Sequence, residues 1–551
     1  MQIHFKLVNS KVVMMNIIFF TVFVVIATFR FFYLNGDAGD SALFENIALQ
    51  SSFPNYANEF LISIQVLIRK FVSDPNSVSI FNFPNDFGLN GNLMGAHAYL
   101  SFPAISFFTK IFGFRIFISL VAAAISILPL VIAANLITRY TDKKRIKKYL
   151  PVLFILICYP AIIWSGMGQF YPDRLFIITF PIFLLILDRA SNNPSRKSVQ
   201  TLFWLFLLNS ATTERASLYV ALACGIYCIR GKYHKKTFLI LATTAFFWSI
   251  LYYKNISTDV YTNSYFDTAK SLSGLQSLLL STPTLKLLLL HIPGFILVYR
   301  MWDLRLMLLI GLIPNLFGNI GGAEKIGWVT HYMTYIAAVY IAVVLVWLQR
   351  EILKVELSRK SIGKKTETLE KGPSLDLQKL SAVTTAIALF IVINPNSRNE
   401  IVEINPIKHS GVFGATYNWL AQGQSRLDYR AYREEVQLII KTISTQSNIG
   451  VSEETSKYVS KNFRNIHMFP VNLDSLDYVV LKSAGGTGEA YIQTPIVNYA
   501  NPEVGVSITE QAQKLLVGRC FIDITPNNSS KIHIFKRNQD FDLDEKCLSS
   551  D

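Results

Sequence analysis

Charge is scarce in this chain. Only 16% of its 551 residues are Asp, Glu, Lys or Arg, where a globular chain carries nearer a quarter. With 51% hydrophobic residues and a positive mean hydropathy, that scarcity excludes an ordinary soluble fold and indicates an integral membrane protein with soluble parts. Cysteine is sparse too. Cys158, Cys224 and Cys228 fall within apolar runs and read as small buried hydrophobes. Cys520 and Cys547 lie near the C-terminus and can pair if that region faces an oxidising compartment, although spacing alone does not fix disulfide geometry. There is no CxxC, His/Cys cluster or HExxH, hence no signal for a structural zinc site or a zinc hydrolase. No glycine loop of the Walker or dinucleotide type sits between a strand and a helix, which argues against ATP or NAD as the energy source. Internal repeats and the paired broken helices of inverted-repeat transporters are also missing.

What is abundant is long apolar sequence. About 20 such residues span a bilayer as a helix, fewer where the ends are buried in protein. Eleven runs qualify: Val12 to Leu34, Phe114 to Ile137, Leu150 to Trp164, Leu175 to Leu187, Thr201 to Ala211, Ala216 to Ile229, Thr237 to Tyr253, Leu285 to Tyr299, Leu304 to Phe317, Val329 to Leu348 and Leu380 to Ile393. The first is too long for a signal-peptide core and lacks a small-residue cleavage site, so it reads as a retained anchor. Ser101 to Phe112 is short and contains Pro103, and reads as an interfacial or re-entrant segment.

The net charge of +15 suggests nucleic acid at first sight, but most of the excess Lys and Arg lies in short loops. With a cytoplasmic N-terminus, the inside loops are Arg139 to Lys148, Arg189 to Lys197, Arg230 to Lys236, Arg300 to Arg305 and the basic linker of residues 350–379. All are basic, as the positive-inside rule requires. Counting Ser101 to Phe112 as a span would put the most basic loops outside. The expected fold is therefore an α-helical polytopic membrane protein of about eleven transmembrane helices over residues 1–396, followed by a small extracytoplasmic α/β domain over 397–551. Residues 35–100 form a first outer loop with interfacial helices, including amphipathic Phe60 to Phe71. Lys354 to Lys379 is expected to be a flexible cytoplasmic linker. In the C-terminal part, Tyr429 to Ile443 and Glu453 to Phe463 read as helices. Asn448 to Val451, Asn465 to Phe469 and Tyr478 to Lys482 read as strands in a βαβ-like order.

With this topology, the membrane-proximal functional candidates fall at outer helix ends. Ionisable groups near a membrane are costly unless they face water or a partner, so the set reads as a polar cavity. Asp37 and Asp40 follow the first helix. They serve either as the N-cap of a short helix near Ser41 or as a general base, Asp40 first and Asp37 second. His97 is an interfacial histidine or a contact to a lipid-borne phosphate. Asp173 and Arg174 are an interfacial charge pair, or Arg174 clamps a phosphate. Glu214 and Arg215 interrupt hydrophobic sequence with almost no loop around them, which suits an ordinary turn less well. Lys325, His331 and Tyr332 complete the set, the first two offering positive charge to a phosphate. A divalent ion on Asp37 or Asp40 stays open, since carboxylates suit Mg or Mn; nothing demands one.

These residues resemble the GT-C type membrane glycosyltransferases and, more narrowly, a prokaryotic family of predicted membrane proteins of unknown function assigned to that superfamily. The resemblance is carried by Asp40-Ser-Ala-Leu-Phe44, His97 before Ser101-Phe-Pro103, Gln169-Phe-Tyr-Pro172, Glu214-Arg215 and His331-Tyr332. In the soluble part it is carried by Gly450-Val-Ser452, Arg464 to Pro470 and Asp477-Tyr-Val-Val-Leu481. The chain departs from that pattern at Tyr171, where His is expected, and at Arg215, where an acidic residue often follows Glu214. The resemblance implies transfer of a sugar from a polyprenyl-phosphate donor to a glycan, lipid or protein acceptor on the extracytoplasmic face of a plasma (inner) membrane. On that reading Asp40 acts as base, and His97, Asp173, Arg174, Glu214, Arg215, Lys325, His331 and Tyr332 contact the donor phosphate or sugar, with membrane lipid but no nucleic acid as partner. The rivals are a transporter or flippase of a lipid-linked or polar solute, and a non-catalytic membrane assembly protein.

Overall fold

The structure is a computed structural model. It describes residues 10–33, 48, 100–140, 147–158, 171–192, 195–255, 270–280, 282–317, 331–361, 374–393, 434–438, 440–451, 455, 465–469, 475–482, 516, 520–526 and 532–539.

Each of the eleven apolar runs is helical over its described residues, end turns aside. The helices are α1 (Ser10–Tyr33), α2 (Phe102–Phe112), α3 (Phe114–Tyr140), α4 (Leu150–Cys158), α5 (Leu175–Asn192), α6 (Arg196–Ser210), α7 (Glu214–Arg230) and α8 (Lys235–Asn255). They continue with α9 (Leu272–Leu280), α10 (Thr282–Leu297), α11 (Trp302–Phe317), α12 (His331–Ser361) and α13 (Ser374–Ile393). Among the described residues, three stretches are long and apolar enough to cross a membrane: Phe114–Thr138, Pro172–Asn192 and Thr334–Lys354. The α2 segment, expected to be interfacial or re-entrant, is short. Its 11 residues reach only about 16 Å at 1.5 Å per residue, half a hydrocarbon core. Gly113 ends it at φ 85°, a left-handed conformation that favours glycine, and α3 begins at the next residue.

The linker expectation needs correction. Residues 354–361 continue α12 and 374–379 open α13, so the stretch from Lys354 to Lys379 is helical at both ends. Charged residues such as Glu and Lys are good helix formers, and a composition that reads as solvated linker extends a helix already nucleated by a buried core. The sequence reading also omitted α9.

Helix α12 is the central rod. Every residue from Thr334 to Leu348 is buried, as expected for a helix apolar all round. Glycines bring its neighbours close: a Cβ on Gly294 of α10 would lie 2.6 Å from Cε2 of Tyr340, and one on Gly311 of α11 would lie 3.0 Å from Cγ1 of Val339.

The C-terminal part contains a five-stranded sheet of β1 (Asn448–Val451), β2 (Asn465–Met468), β3 (Tyr478–Lys482), β4 (Phe521–Asp523) and β5 (Ile532–Arg537), in the order β2-β1-β3-β5-β4. The three expected strands are present and parallel, β1 pairing with β2 (Ile449 opposite Ile466) and with β3 (Ile449 opposite Tyr478). The other two strands, β4 and β5, are antiparallel additions that the sequence reading did not find. Residues 434–438 and 440, inside the expected Tyr429 to Ile443 helix, are helical. Most of Glu453 to Phe463 lies outside the described residues.

Candidate functional site

Hydrogen bonds place the helix ends in two groups. Helices α5 and α12 run parallel and in register. Tyr335 bonds Asp173 and Arg350 bonds Asp188, and both pairs are 162 residues apart in sequence. Fifteen residues separate Asp173 from Asp188, as they do Tyr335 from Arg350, so the two polar layers lie about 22 Å apart along the rods. Helix α7 joins both layers, through Thr213 at its start and through Tyr227 and Arg230 at its end.

The first layer contains four of the residues expected at outer helix ends. Asp173 and Arg174 belong to a 3-10 turn, Pro172–Arg174, that leads into α5. Thr213 is the N-cap of α7, its Oγ1 accepting from the backbone N–H of Ala216 at 3.0 Å. The same Oγ1 lies 2.6 Å from Oη of Tyr335, which donates to Oδ2 of Asp173 at 2.7 Å. A tyrosine hydroxyl has one proton, so Thr213 must supply the proton of the shorter bond. The result is a directed chain: Ala216 N–H to Thr213 hydroxyl, Thr213 hydroxyl to Tyr335 hydroxyl, Tyr335 hydroxyl to the Asp173 carboxylate. It ties α7, α12 and the turn before α5 to one another.

Around that chain are Arg174 and Glu214, which expose 2% and 1% of their surfaces. Arg215, with its Nε 3.8 Å from Oε1 of Glu214, is the least buried at 17% of its side chain. The Arg174 guanidinium lies over the ring of Tyr171, 5.7 Å from its centroid. Beneath is an aromatic layer: Tyr219 stacks on Tyr335 at 5.3 Å between ring centroids, and Phe176 lies 5.5 Å from Tyr335. Neighbouring helices close the layer. Thr179 donates to Asn209 near the end of α6, Ser249 of α8 donates to the carbonyl of Glu214, and the backbone N–H of Ser101, which precedes α2, donates to the carbonyl of Ala211. Ser106 of α2 also donates to the carbonyl of Ala48, anchoring that residue against α2. Three parallel helices begin here, and their N-terminal N–H groups and dipoles favour negative charge. Two arginines beside two carboxylates in a dehydrated setting make a charge-balanced cluster whose electrostatic interactions are stronger than in water.

The second layer was missed. The charges of Arg189 to Lys197, Arg230 to Lys236, Arg300 to Arg305 and residue 350 read as loop residues that set orientation. Asp188, Asp303 and Arg350 are instead buried. Arg350 Nη2 lies 2.7 Å from both Asp188 Oδ1 and Asp303 Oδ2, and 2.9 Å from the Tyr227 hydroxyl. Arg230 bridges the same two carboxylates at 3.1 and 2.9 Å, and Gln349 donates to Asp188. Two acids and two arginines cancel. The available signal was carboxylates at fixed positions inside otherwise basic segments.

Of the sequence-derived set, Asp173, Arg174, Glu214 and Arg215 gather in the first layer. His331 and Tyr332 are the first residues of α12, one turn before Tyr335; their side chains lie outside the description. Asp37, Asp40, His97 and Lys325 lie outside the described residues. Tyr335 is the addition that only the fold supplies. Among the described residues no group of three or more His, Cys, Asp or Glu gathers as metal ligands would. Cys520 is disulfide-bonded, whereas Cys224 and Cys228 are free. No family model, curated protein or solved structure matches the chain.

Proposed function

We propose that this chain is a polytopic membrane glycosyltransferase, with about eleven spans, a cytoplasmic N-terminus and an extracytoplasmic C-terminal domain, that takes its sugar from a polyprenyl-phosphate donor. The reading is supported above all by one observation: Asp173, Arg174, Glu214 and Arg215, from two separate stretches of sequence, meet around Tyr335 at one end of three parallel helices. In the proposed step Asp40 takes the proton of an acceptor hydroxyl as its oxygen bonds to the anomeric carbon. The bond from that carbon to the phosphate oxygen breaks, and its electron pair leaves with the polyprenyl phosphate. Arg174, Arg215 and Lys325 stabilise the departing phosphate, and Glu214 orients an arginine or holds a sugar hydroxyl.

The test is release of radiolabelled sugar from polyprenyl-phosphate carriers by membranes containing the full chain. Asp40→Asn is expected to lower turnover by about 10²–10⁴-fold, and Arg215→Gln by about 10²–10³-fold. Unchanged turnover in Asp40→Asn removes Asp40 as base, and no turnover with any carrier removes the reading.

A second reading, a carrier of a polar or lipid-linked solute, rests on the ionic layer at the opposite ends of the same helices. A carrier would have to open that layer to give access from the other face. Such a protein would move labelled lipid between leaflets without releasing sugar.

A further inference from the structure

The end of the helical body that carries the second layer also carries surface cations in excess of the carboxylates among the described residues there. Its carboxylates Asp188 and Asp303 are buried and neutralised by Arg230 and Arg350. Glu351 is held by Lys354 at 2.8 Å, and the exposed Asp376 is matched by the exposed Lys379 on the same turn of α13. The exposed groups Lys235, Lys236 and Arg305 have a further property: each is followed four residues later by an exposed large apolar residue, Leu239, Ile240 and Leu309 respectively. On a helix, i and i+4 share a face and lie about 6 Å apart along the axis. Each cation therefore stands one turn from side chains that face hydrocarbon, which is the depth of a lipid headgroup rather than of bulk water. Exposed Tyr233, Tyr299 and Trp302 rim the same end, the position that amphipathic rings take at a membrane interface. The turn carrying Tyr233 is fixed, since the backbone N–H groups of Lys232 and Tyr233 donate to the carbonyl of Ser191 at 3.1 and 3.2 Å.

We infer that this end of the molecule is a docking surface for anionic phospholipid headgroups, with Lys235, Lys236 and Arg305 as the contacting cations. A nucleic acid or an acidic protein would meet these groups from water. Their position one turn from hydrocarbon-facing Leu and Ile favours an anion already anchored at that depth. Internal neutralisation of Asp188 and Asp303 leaves the surface field positive, and such a field attracts anionic headgroups over a Debye length. The inference rests on the membrane reading of the helices and is independent of the sugar-transfer reaction.

The experiment compares spin-labelled phosphatidylglycerol with spin-labelled phosphatidylcholine around the purified full chain in phosphatidylcholine vesicles, and reads the motionally restricted fraction of each. Phosphatidylglycerol should be preferentially restricted, high salt should diminish the preference, and Lys235→Gln with Lys236→Gln and Arg305→Gln should weaken it at least about tenfold. The charge-conserving variant Lys235→Arg, Lys236→Arg and Arg305→Lys should retain it, which separates loss of charge from loss of fold. Equal restriction of the two lipids by the wild-type chain overturns the inference, as does a preference unchanged in a folded glutamine variant. Competition by inorganic phosphate at constant ionic strength would reassign the cations to a soluble anion and also overturn it.

Discussion

Arg350 shows most directly what a single residue does here. Its guanidinium satisfies two buried carboxylates and a buried tyrosine hydroxyl at once. A truncation leaves uncompensated charge in a poorly solvated place. Arg350→Ala is expected to cost about 3–5 kcal/mol, read as a fall in the thermal midpoint of the detergent-solubilised protein. Combining Arg350→Met with Asp303→Asn should recover part of that loss, because Asp188 and Arg230 then remain as a balanced pair. If the single and combined variants melt alike, the charges are not what hold this layer. Tyr335 is the corresponding residue in the first layer. Tyr335→Phe keeps the stack on Tyr219 but leaves Asp173 without that donor and Thr213 without that acceptor. The expected cost is about 1–3 kcal/mol. A double-mutant cycle with Asp173→Asn measures how much of it belongs to that bond.

At the scale of elements, α12 is held between two polar layers whose spacing matches that of α5, and both contacts share one register. A slip of α12 by one turn would break Tyr335 to Asp173 and Arg350 to Asp188 together, so each layer reinforces the alignment of the other. Close approach of α10 gives lateral support. Gly294→Val would drive a side chain into the Tyr340 ring and toward Leu308, whose Cδ1 would lie only 3.3 Å from the added Cβ. We expect a destabilisation of about 1–3 kcal/mol, typical of overpacking. A thermal midpoint equal to wild type would show that α10 can shift away from α12 at little cost.

For the whole molecule, the two layers lie at opposite ends of the same rods, and α7, at 17 residues, covers about 25 Å between them. If the bundle spans a bilayer as proposed, Arg215→Cys and Lys232→Cys should be labelled by a membrane-impermeant maleimide from opposite sides of sealed vesicles, against a background with the native cysteines replaced. Labelling of both from one side would mean that α7 lies within one leaflet, and the proposed topology would fall.

Hydrophobic run length by itself determined where helices form, because burying or lipid-solvating about 15–20 apolar residues requires the backbone to satisfy its own hydrogen bonds. It located the helices of the eleven runs but not the short α9, and strand patterning located β1, β2 and β3. It did not locate β4 and β5: β5 pairs antiparallel with β3, some 50 residues earlier in the chain, and β4, only three residues long, pairs with β5 at the sheet edge. The sequence also placed Asp173, Arg174, Glu214 and Arg215 at helix ends, since ionisable residues interrupt apolar runs only where helices leave the membrane or meet partners. Only the tertiary structure decided that Tyr335, in an apolar run with no neighbouring charge, joins Asp173 to Thr213 at the start of α7. The same holds for Asp188, Asp303, Arg230 and Arg350, which form an internal ion network rather than solvated loops. Pattern along a chain encodes what each segment needs to bury. Which charge neutralises which depends on how segments far apart in sequence pack side by side.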